Sequence, residues 1–515
     1  MPVLNLVIKN AYHDSVFLMA LAGKARSLPG VEDVSCVMGT PENRTILDDA
    51  GLLEAQGRGA GPNDLVVAVR AGTDDNAAAA LDHVREALAS QTGRSTHRQD
   101  YAPRTLDAAV SVAGGANLAL ISVPGRYAPR ETRKALERGL NVFLFSDNVS
   151  IQDEVQLKSI AASRNLLLMG PDCGTAIIDG IAIGFANVVR RGSVGIVAAA
   201  GTGLQEVACL LDASRCGVSQ AIGTGGRDLK QEVGGITTLQ GIARLAEDPD
   251  TRVLCVVSKP PDPAVADRVV AALQACGKPA VACFVGAPPR EPNGAVAFVS
   301  DLTAAARAAA ALACGEDPAS ASGVDAELVA LAESVVARLP GRRQHVRGLY
   351  SGGTLCYEAL HILSRHLGEV WSNTPLPRGK RLKDARTSFR NTVVDLGDDE
   401  FTVGRPHPMI DHRLRNERLV REARNEDVGV ILLDVVLGHG AHPNPAGAMA
   451  ASVREAVAAG PAVVASITGT RADPQGYDLQ KRTLQDLGVT VLPSNTKAAL
   501  FAALVANRGR LEPGE

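Results

Sequence analysis

One stretch of this sequence repeats without gaps. VGIVAAAGTGLQEVACLL, from Val194, lies over VRGLYSGGTLCYEALHIL, from Val346, matching Val194 with Val346, Gly201 with Gly353, Thr202 with Thr354 and Glu206 with Glu358. In each copy an apolar run ends in glycines and a threonine, then passes directly into a helical pattern. Any strand, glycine turn and helix shares that outline, but the common register favours one domain type used twice. Parallel strands need a crossover between them, so a chain built this way is committed to α/β sheets.

The alternation extends along 515 residues, and about one domain per 150 residues gives three or four domains. Residues 1–95 read as a small α/β N-terminal unit. Residues 91–104 (QTGRSTHRQDYAPR) have the polar, Gly and Pro content of a linker. Residues 105–190 alternate short apolar strands at 118–123, 142–145 and 166–169 with helices at 129–138 and 151–164. Residues 191–315 repeat the pattern, and so do residues 345–510 beyond further breaks at 315–323 and 340–344. The expected fold class is α/β, with several doubly wound domains behind the small first unit.

Composition excludes several functions. The net charge of -3 arises from 53 basic and 56 acidic residues mixed along the chain, leaving no basic field for nucleic acid or an anionic membrane. Only 3% of residues are aromatic, too few for base stacking. Nine cysteines, scattered and without a C-x-x-C pair, fit a reducing compartment. No apolar run approaches the roughly 20 residues of a membrane span, and the expected location is cytoplasmic.

The glycine turns carry the chemistry. Gly201, Thr202 and Gly203, and again Ser351, Gly352, Gly353 and Thr354, stand where a strand meets a helix. Unpaired N–H groups at such a helix start, with the positive end of the helix dipole, suit a phosphate or carboxylate, although a tight turn without a ligand has the same pattern. In AIGTGGRDL, Gly225 and Gly226 form a third nest, and Arg227 either forks onto an anion or is a solvated loop arginine. Cys173, in MGPDCGT, is a thiol without a nearby histidine in sequence and reads as packing. GHGAHPNPAG offers His439, His442 and, from the strand before it, Asp434; RPHPMID offers Arg405, His407 and Asp411. Their spacing matches no strong zinc pattern, so no metal is expected, but loops after parallel strands are where such folds bind ligands.

The order VPGRYAPRETRKALERGL, MGPDCGT, SVGIVAAAGTGLQEVA, IGTGGRD and RLAEDPDTRVLCVVS resembles the alpha subunit of succinyl-CoA synthetase, and VGVILLDVVLGHGAHPNPAGAMA resembles the carboxyl-terminal ligase domain of its beta subunit. The whole length, including VVDLGDDEFTVGRPHPMID, is similar to the FdrA family. The resemblance implies a CoA-binding Rossmann-like domain at 105–190 and succinyl-CoA-ligase domains of flavodoxin type at 191–315 and 345–510. CoA is then a possible cofactor and phosphate a co-substrate.

The departures from that pattern limit what is implied. The synthetase carries phosphoryl on a histidine in a G-H-A-G-A-like segment, and here the stretch reads REPNGAVAF, with Pro292 and Asn293 ahead of Gly294. Its supporting acid falls near Lys259, and no ATP-grasp span is visible. FdrA resemblance implies a subunit of an oxamate carbamoyltransferase, converting oxalurate and phosphate to oxamate and carbamoyl phosphate with other subunits in allantoin and purine nitrogen use. Lys259 and Arg227 are then the expected charge-neutralising residues, and His407 or His439 the acid or carbonyl donor. An NDP-forming acyl-CoA synthetase subunit borrowing an ATP-grasp partner, and a non-catalytic scaffold, remain the alternatives.

Overall fold

The computed structural model describes residues 2–11, 15–26, 28–93, 103, 105–288, 290–291, 294–318, 325–402 and 406–510. Pro292, Asn293, Arg405 and most of the 91–104 and 315–323 linkers lie outside the described residues. The chain divides into two compact units, Met1–Arg104 and Thr105–Glu515.

The first unit contains β1 (Val3–Ile8), α1 (Ser15–Arg26), β2 (Val31–Met38), α2 (Pro41–Asp49), α3 (Ala55–Arg58), β3 (Leu65–Ala71) and α4 (Asp74–Gly93). Its sheet is antiparallel in the order β1-β3-β2. The period-two alternation of β3 sends Leu65, Val67 and Val69 into a core with Leu18, Leu21, Ala77 and Val84. Val66 and Ala68 pack on the other face against Leu47, Leu52 and Ala60.

The second unit opens with α5 (Leu106–Ala113), β4 (Leu118–Ile121), α6 (Ala128–Glu137), β5 (Asn141–Leu144), α7 (Ile151–Ser163) and β6 (Leu168–Met169). These strands form a parallel sheet ordered β4-β5-β6. An antiparallel hairpin, β7 (Thr175–Ile178) and β8 (Ile181–Gly184), leads into a larger sheet. That sheet takes β9 (Arg191–Ala199), α8 (Gly201–Ala213), β10 (Val218–Gly223), α9 (Ile236–Glu247), β11 (Val253–Ser258), α10 (Pro263–Ala275), β12 (Ala280–Phe284), β13 (Val296–Val299) and α11 (Leu302–Cys314). Its seven strands run β13-β12-β11-β9-β10-β7-β8, the flavodoxin-like order with the hairpin added at one edge.

After α12 (Ala326–Val336) the same plan returns. It comprises β14 (His345–Tyr350), α13 (Gly353–Leu367), β15 (Trp371–Ser372), β16 (Lys380–Arg381), β17 (Thr392–Asp395), α14 (Asp399–Thr402), α15 (Arg413–Ala423), β18 (Val428–Val436), α16 (Pro445–Ala458), β19 (Ala462–Thr468), α17 (Tyr477–Asp486), β20 (Thr490–Leu492) and α18 (Asn495–Ala506). The order β16-β15-β17-β14-β18-β19-β20 contains the first sheet's arrangement again, with β14 in the place of β9. Both sheets are parallel except at the hairpin, and their central strands β11 and β18 are buried from end to end, with Asp434 the charged residue within β18.

One core joins the two halves. Val194, Ile196 and Leu204 of the first meet Val346, Leu355 and Phe501 of the second, with α8, α11, α13 and α18 between the sheets. The matched glutamates lock this arrangement reciprocally. Glu206, on α8, accepts the Asn495 N–H at the start of α18 at 3.0 Å, and Glu358, on α13, accepts the Leu302 N–H at the start of α11 at 2.8 Å. Each caps the closing helix of the opposite half, satisfying an N–H that the helix itself leaves free. Among the described residues no helix is long and apolar enough to cross a membrane.

Candidate functional site

The two glycine turns end β9 and β14 and face each other. A β carbon on Gly352 would come 2.8 Å from Thr202 Cγ2, and one on Gly203 would come 2.9 Å from Thr354 Cγ2, so neither position accepts a side chain without displacement. The Thr354 N–H donates to Thr202 Oγ1 at 3.2 Å. Two helix starts, each with a partial positive charge, therefore converge at the carboxyl ends of the two sheets.

The second of these starts is already occupied by the protein. Asp434, on β18, accepts from the Ser351 N–H at 2.8 Å, the Ser351 hydroxyl at 2.9 Å and the Gly352 N–H at 2.7 Å. The wholly buried Arg415 donates to the same carboxylate at 2.9 Å. The N–H groups of Ser351, Gly352 and Thr354 are thus satisfied internally, so at these three the protein's own oxygens stand where a ligand was expected, while the Gly353 N–H has no acceptor among the described residues. Strand register explains why the first turn differs. Val194 pairs with Val253 and Val346 with Val430, so Asp434, four residues on, corresponds to Val257. Among the described residues, no group accepts a hydrogen bond from the N–H of Gly201, Thr202 or Gly203.

A second carboxylate stands beside the turn. Asp395 ends β17, its backbone held on both sides by the Asn373 amide, at 2.9 and 3.0 Å. Its Oδ1 accepts the Gly397 N–H at 2.9 Å, and a β carbon on Gly353 would lie 2.8 Å from its Oδ2. Burial pushes the Asp395 carboxyl up to about 6, against the opposing pull of the Lys259 charge. Lys259 follows β11, exposed, with its ammonium 5.3 Å from the centre of the Tyr357 ring.

His407 closes the group. Its Nδ1 accepts the Met409 N–H at 3.2 Å, and its Nε2 lies 2.8 Å from where a Gly397 β carbon would stand. Burial, with the positive charge of Arg415, lowers it to about 4, so the ring is neutral at pH 7 and Nε2 carries the hydrogen. His412 is also kept neutral, lowered to about 2 by burial and by Arg415, which donates to its Nδ1 at 3.0 Å.

Other candidates fall elsewhere. Arg227 donates to Glu154 at 3.0 Å and to the Val149 carbonyl at 2.8 Å, so its charge neutralises a buried protein carboxylate rather than a ligand. Gly225, with φ +86°, lies directly under the Pro171 carbonyl, and the Asp172 carboxylate stands 4.0 Å from the β position of Gly226. That nest meets an acid of its own. Asp228 accepts from the N–H groups of Thr237 and Thr238, capping α9, and pairs with the buried Lys158 at 2.7 Å. The His439 backbone donates to the Ala186 carbonyl at 2.8 Å, while its side chain is exposed. Cys173 is buried and its thiol is pushed up to about 12, which suits packing and not nucleophilic attack. Among the described residues no cluster of three or more His, Cys, Asp or Glu side chains is placed to hold a metal.

Sequence reasoning missed Asp395 and Arg415. Asp395 had a signal: a lone carboxylate in the apolar run TVVDLG, where burial demands a partner.

Comparison with known proteins agrees with this architecture. Residues 349–505 match the CoA-ligase family, 189–286 the CoA binding domain family and 1–103 the AllF heavy metal-associated domain family. The CoA-binding match begins at residue 189 and falls on the first large sheet, not on the small sheet β4-β5-β6. YahF of Escherichia coli K12 is 40% identical over 506 residues, covering 96% of this chain and 97% of YahF. The alpha subunit of the ADP-forming succinate–CoA ligase of Aquifex aeolicus is 30% identical over 151 residues, which is 28% of this chain and 48% of that subunit. The chain therefore spans about half the length of that relative. Among solved structures, the Methanothrix soehngenii ATP citrate lyase with citrate and coenzyme A is 20% identical at a TM-score of 0.32, over 35% of this chain and 31% of that one. The dinucleotide-forming acetyl-coenzyme A synthetase 1 of Ca. Korarchaeum cryptofilum is 14% identical at a TM-score of 0.32, over 76% and 83%. Aligned with YahF from end to end, and carrying CoA-binding and CoA-ligase modules in that order, the chain belongs to the FdrA family of succinyl-CoA-synthetase-like proteins.

Proposed function

We propose that this chain is a subunit of an oxamate carbamoyltransferase and that phosphate sits at the start of α8. The observation that carries the reading is the asymmetry between the two glycine turns. Asp434 closes the Ser351 and Gly352 amides at the end of β14, whereas Val257 stands in its place beside β9 and the amides of Gly201, Thr202 and Gly203 have no acceptor among the described residues. A phosphate there has the α8 dipole beneath it, with Lys259 as the neighbouring cation. One phosphate oxygen bonds to the carbamoyl carbon of oxalurate, the bond from that carbon to the oxamate nitrogen breaks, and the nitrogen takes a proton. His407 Nε2–H donates to the carbonyl oxygen as it becomes negative. Asp395, at about 6, holds the proton for the leaving nitrogen.

CoA does not fit the residues at the small sheet. β4-β5-β6 is wound in one direction, without the strand-order reversal that opens a ligand crevice. Beyond its carboxyl end stand Asp147, Asp172 and, from the start of α14, Asp399. Atoms packed around Asp172, and the charges of Asp147 and Asp399, push it up to about 6 although one edge stays exposed. The phosphates of CoA would meet carboxylates there, and Arg227 is already paired.

The test is to co-purify the natural assembly and measure carbamoyl phosphate formed from oxalurate and phosphate. Lys259→Ala should raise the KM for phosphate at least tenfold; an unchanged KM rejects the phosphate seat. The match of residues 349–505 to the CoA-ligase family favours a second reading, an acyl-CoA synthetase-like subunit with an ATP-grasp partner. Tight CoA binding by calorimetry selects that reading instead.

A further inference from the structure

The small parallel sheet has an open edge. The Asn141 N–H donates to the Asn117 carbonyl and the Phe145 N–H to the Ile121 carbonyl, so the alternating Leu118 and Leu120 turn their N–H and C=O groups away from β5. Among the described residues nothing pairs with that edge. Parallel strands are ordinarily covered, yet Leu120 is 58% exposed, and in the segments that flank β4 Val112 is 65%, Val123 37% and Tyr127 53% exposed. Protected edges carry lysine, proline or a bulge within the strand, and β4 has none of these.

We infer that this edge is where two copies of the chain meet, β4 against β4 across a two-fold axis beside Ala119. The choice of a second copy rests on charge. A two-fold contact brings each residue against its own counterpart or a near neighbour, so any charge in it would face itself. From Ser111 to Gly125 (SVAGGANLALISVPG) there is no charged residue, although most of the stretch is exposed and 21% of the chain is charged. With the axis at Ala119, Leu118 of one copy stands opposite Leu120 of the other as a doubly hydrogen-bonded antiparallel pair, and the exchange occurs twice. The result is a six-stranded sheet in which Leu118 and Leu120 of both copies share one face.

The test takes the full-length chain through light scattering on a sizing column and sedimentation equilibrium from about 1 to 100 μM. The expected mass is twice 53.5 kDa. Leu120→Lys sets a charge opposite Leu118 of the other copy, with the second lysine on the diagonal of the same face, and should give monomer, while Leu479→Lys, at an exposed leucine elsewhere, should leave the dimer intact. Ala119→Cys should cross-link into a dimer on mild oxidation, where the wild type with its native cysteines does not, which keeps the test valid if Leu120→Lys folds poorly. Monomer throughout, a dimer unchanged by Leu120→Lys, or a dimer that Ala119→Cys fails to cross-link overturns the inference. So does an edge filled by a different polypeptide in the purified assembly.

Discussion

The Gly352 N–H and Asp434 Oδ2 lie 2.7 Å apart, so the glycine turn of the second half is closed by a carboxylate of its own sheet. The first half has Val257 at the corresponding strand position and leaves its turn open. A duplicated fold has thus kept two converging helix starts while treating them differently: a carboxylate closes the turn before one and a valine stands in its place beside the other.

If Asp434 belongs to the framework, removing its charge should cost stability. Asp434→Asn strands Arg415, which is 1% exposed, without its counter-charge. Unfolding in urea should show a loss of about 3 to 5 kcal/mol, and Asp434→Asn with Arg415→Leu should recover part of it. A loss below about 1 kcal/mol in the single variant would show that the pair is not structural.

Arg227 should behave as a structural residue too. It holds Glu154, whose side chain is fully buried and otherwise faces Lys158. Arg227→Ala should lower stability by about 1 to 3 kcal/mol while leaving the KM for phosphate within twofold. A large change in KM at unchanged stability would return Arg227 to the ligand site.

The duplication was legible because Val194/Val346 and Glu206/Glu358 keep register, and short, largely apolar runs alternating with helical patterns point to parallel strands. What could not be read was which acid meets which amide. The Asp434 carboxylate reaches Gly352 across 82 residues of sequence, and only the packing of β14 on β18 brings them together. Arg415 was hidden in the highly charged RLRNERLVREA, a helix that reads as solvated; its burial follows from α15 covering β18. The small sheet was legible as strands and helices, but its lack of a strand-order reversal is a property of topology that local pattern does not contain.

The reciprocal caps imply a pH dependence. Burial, with Asp301 adding like charge, raises Glu358 from 4.5 to about 8. Between those values the folded state keeps a proton that the unfolded state has released, so stability falls as pH rises through the window and levels beyond about 8. The slope is at most about 1.4 kcal/mol per pH unit. Urea midpoints from pH 5 to 9 should show the decline, and Glu358→Gln should flatten it. A midpoint rising with pH over that range contradicts the cap as described.

Asp395 joins stability to chemistry, and the two can be measured separately. Its ordinary value of 3.8 is raised to about 6, so between those limits the folded state again holds the extra proton and stability falls with rising pH, levelling above about 6. Asp395→Asn should remove that part of the slope whatever the reaction is. If the residue also supplies the proton to the leaving nitrogen, kcat of the wild-type assembly should fall as pH rises through about 6, because only the protonated carboxyl donates. In Asp395→Asn that limb should vanish and kcat drop by about 10²- to 10⁴-fold. Lys259→Met should move the limb to higher pH, since the lysine charge is what holds the carboxyl down. A stability slope that responds to Asp395→Asn while kcat stays unchanged would leave the buried carboxyl in place and assign the proton to another group.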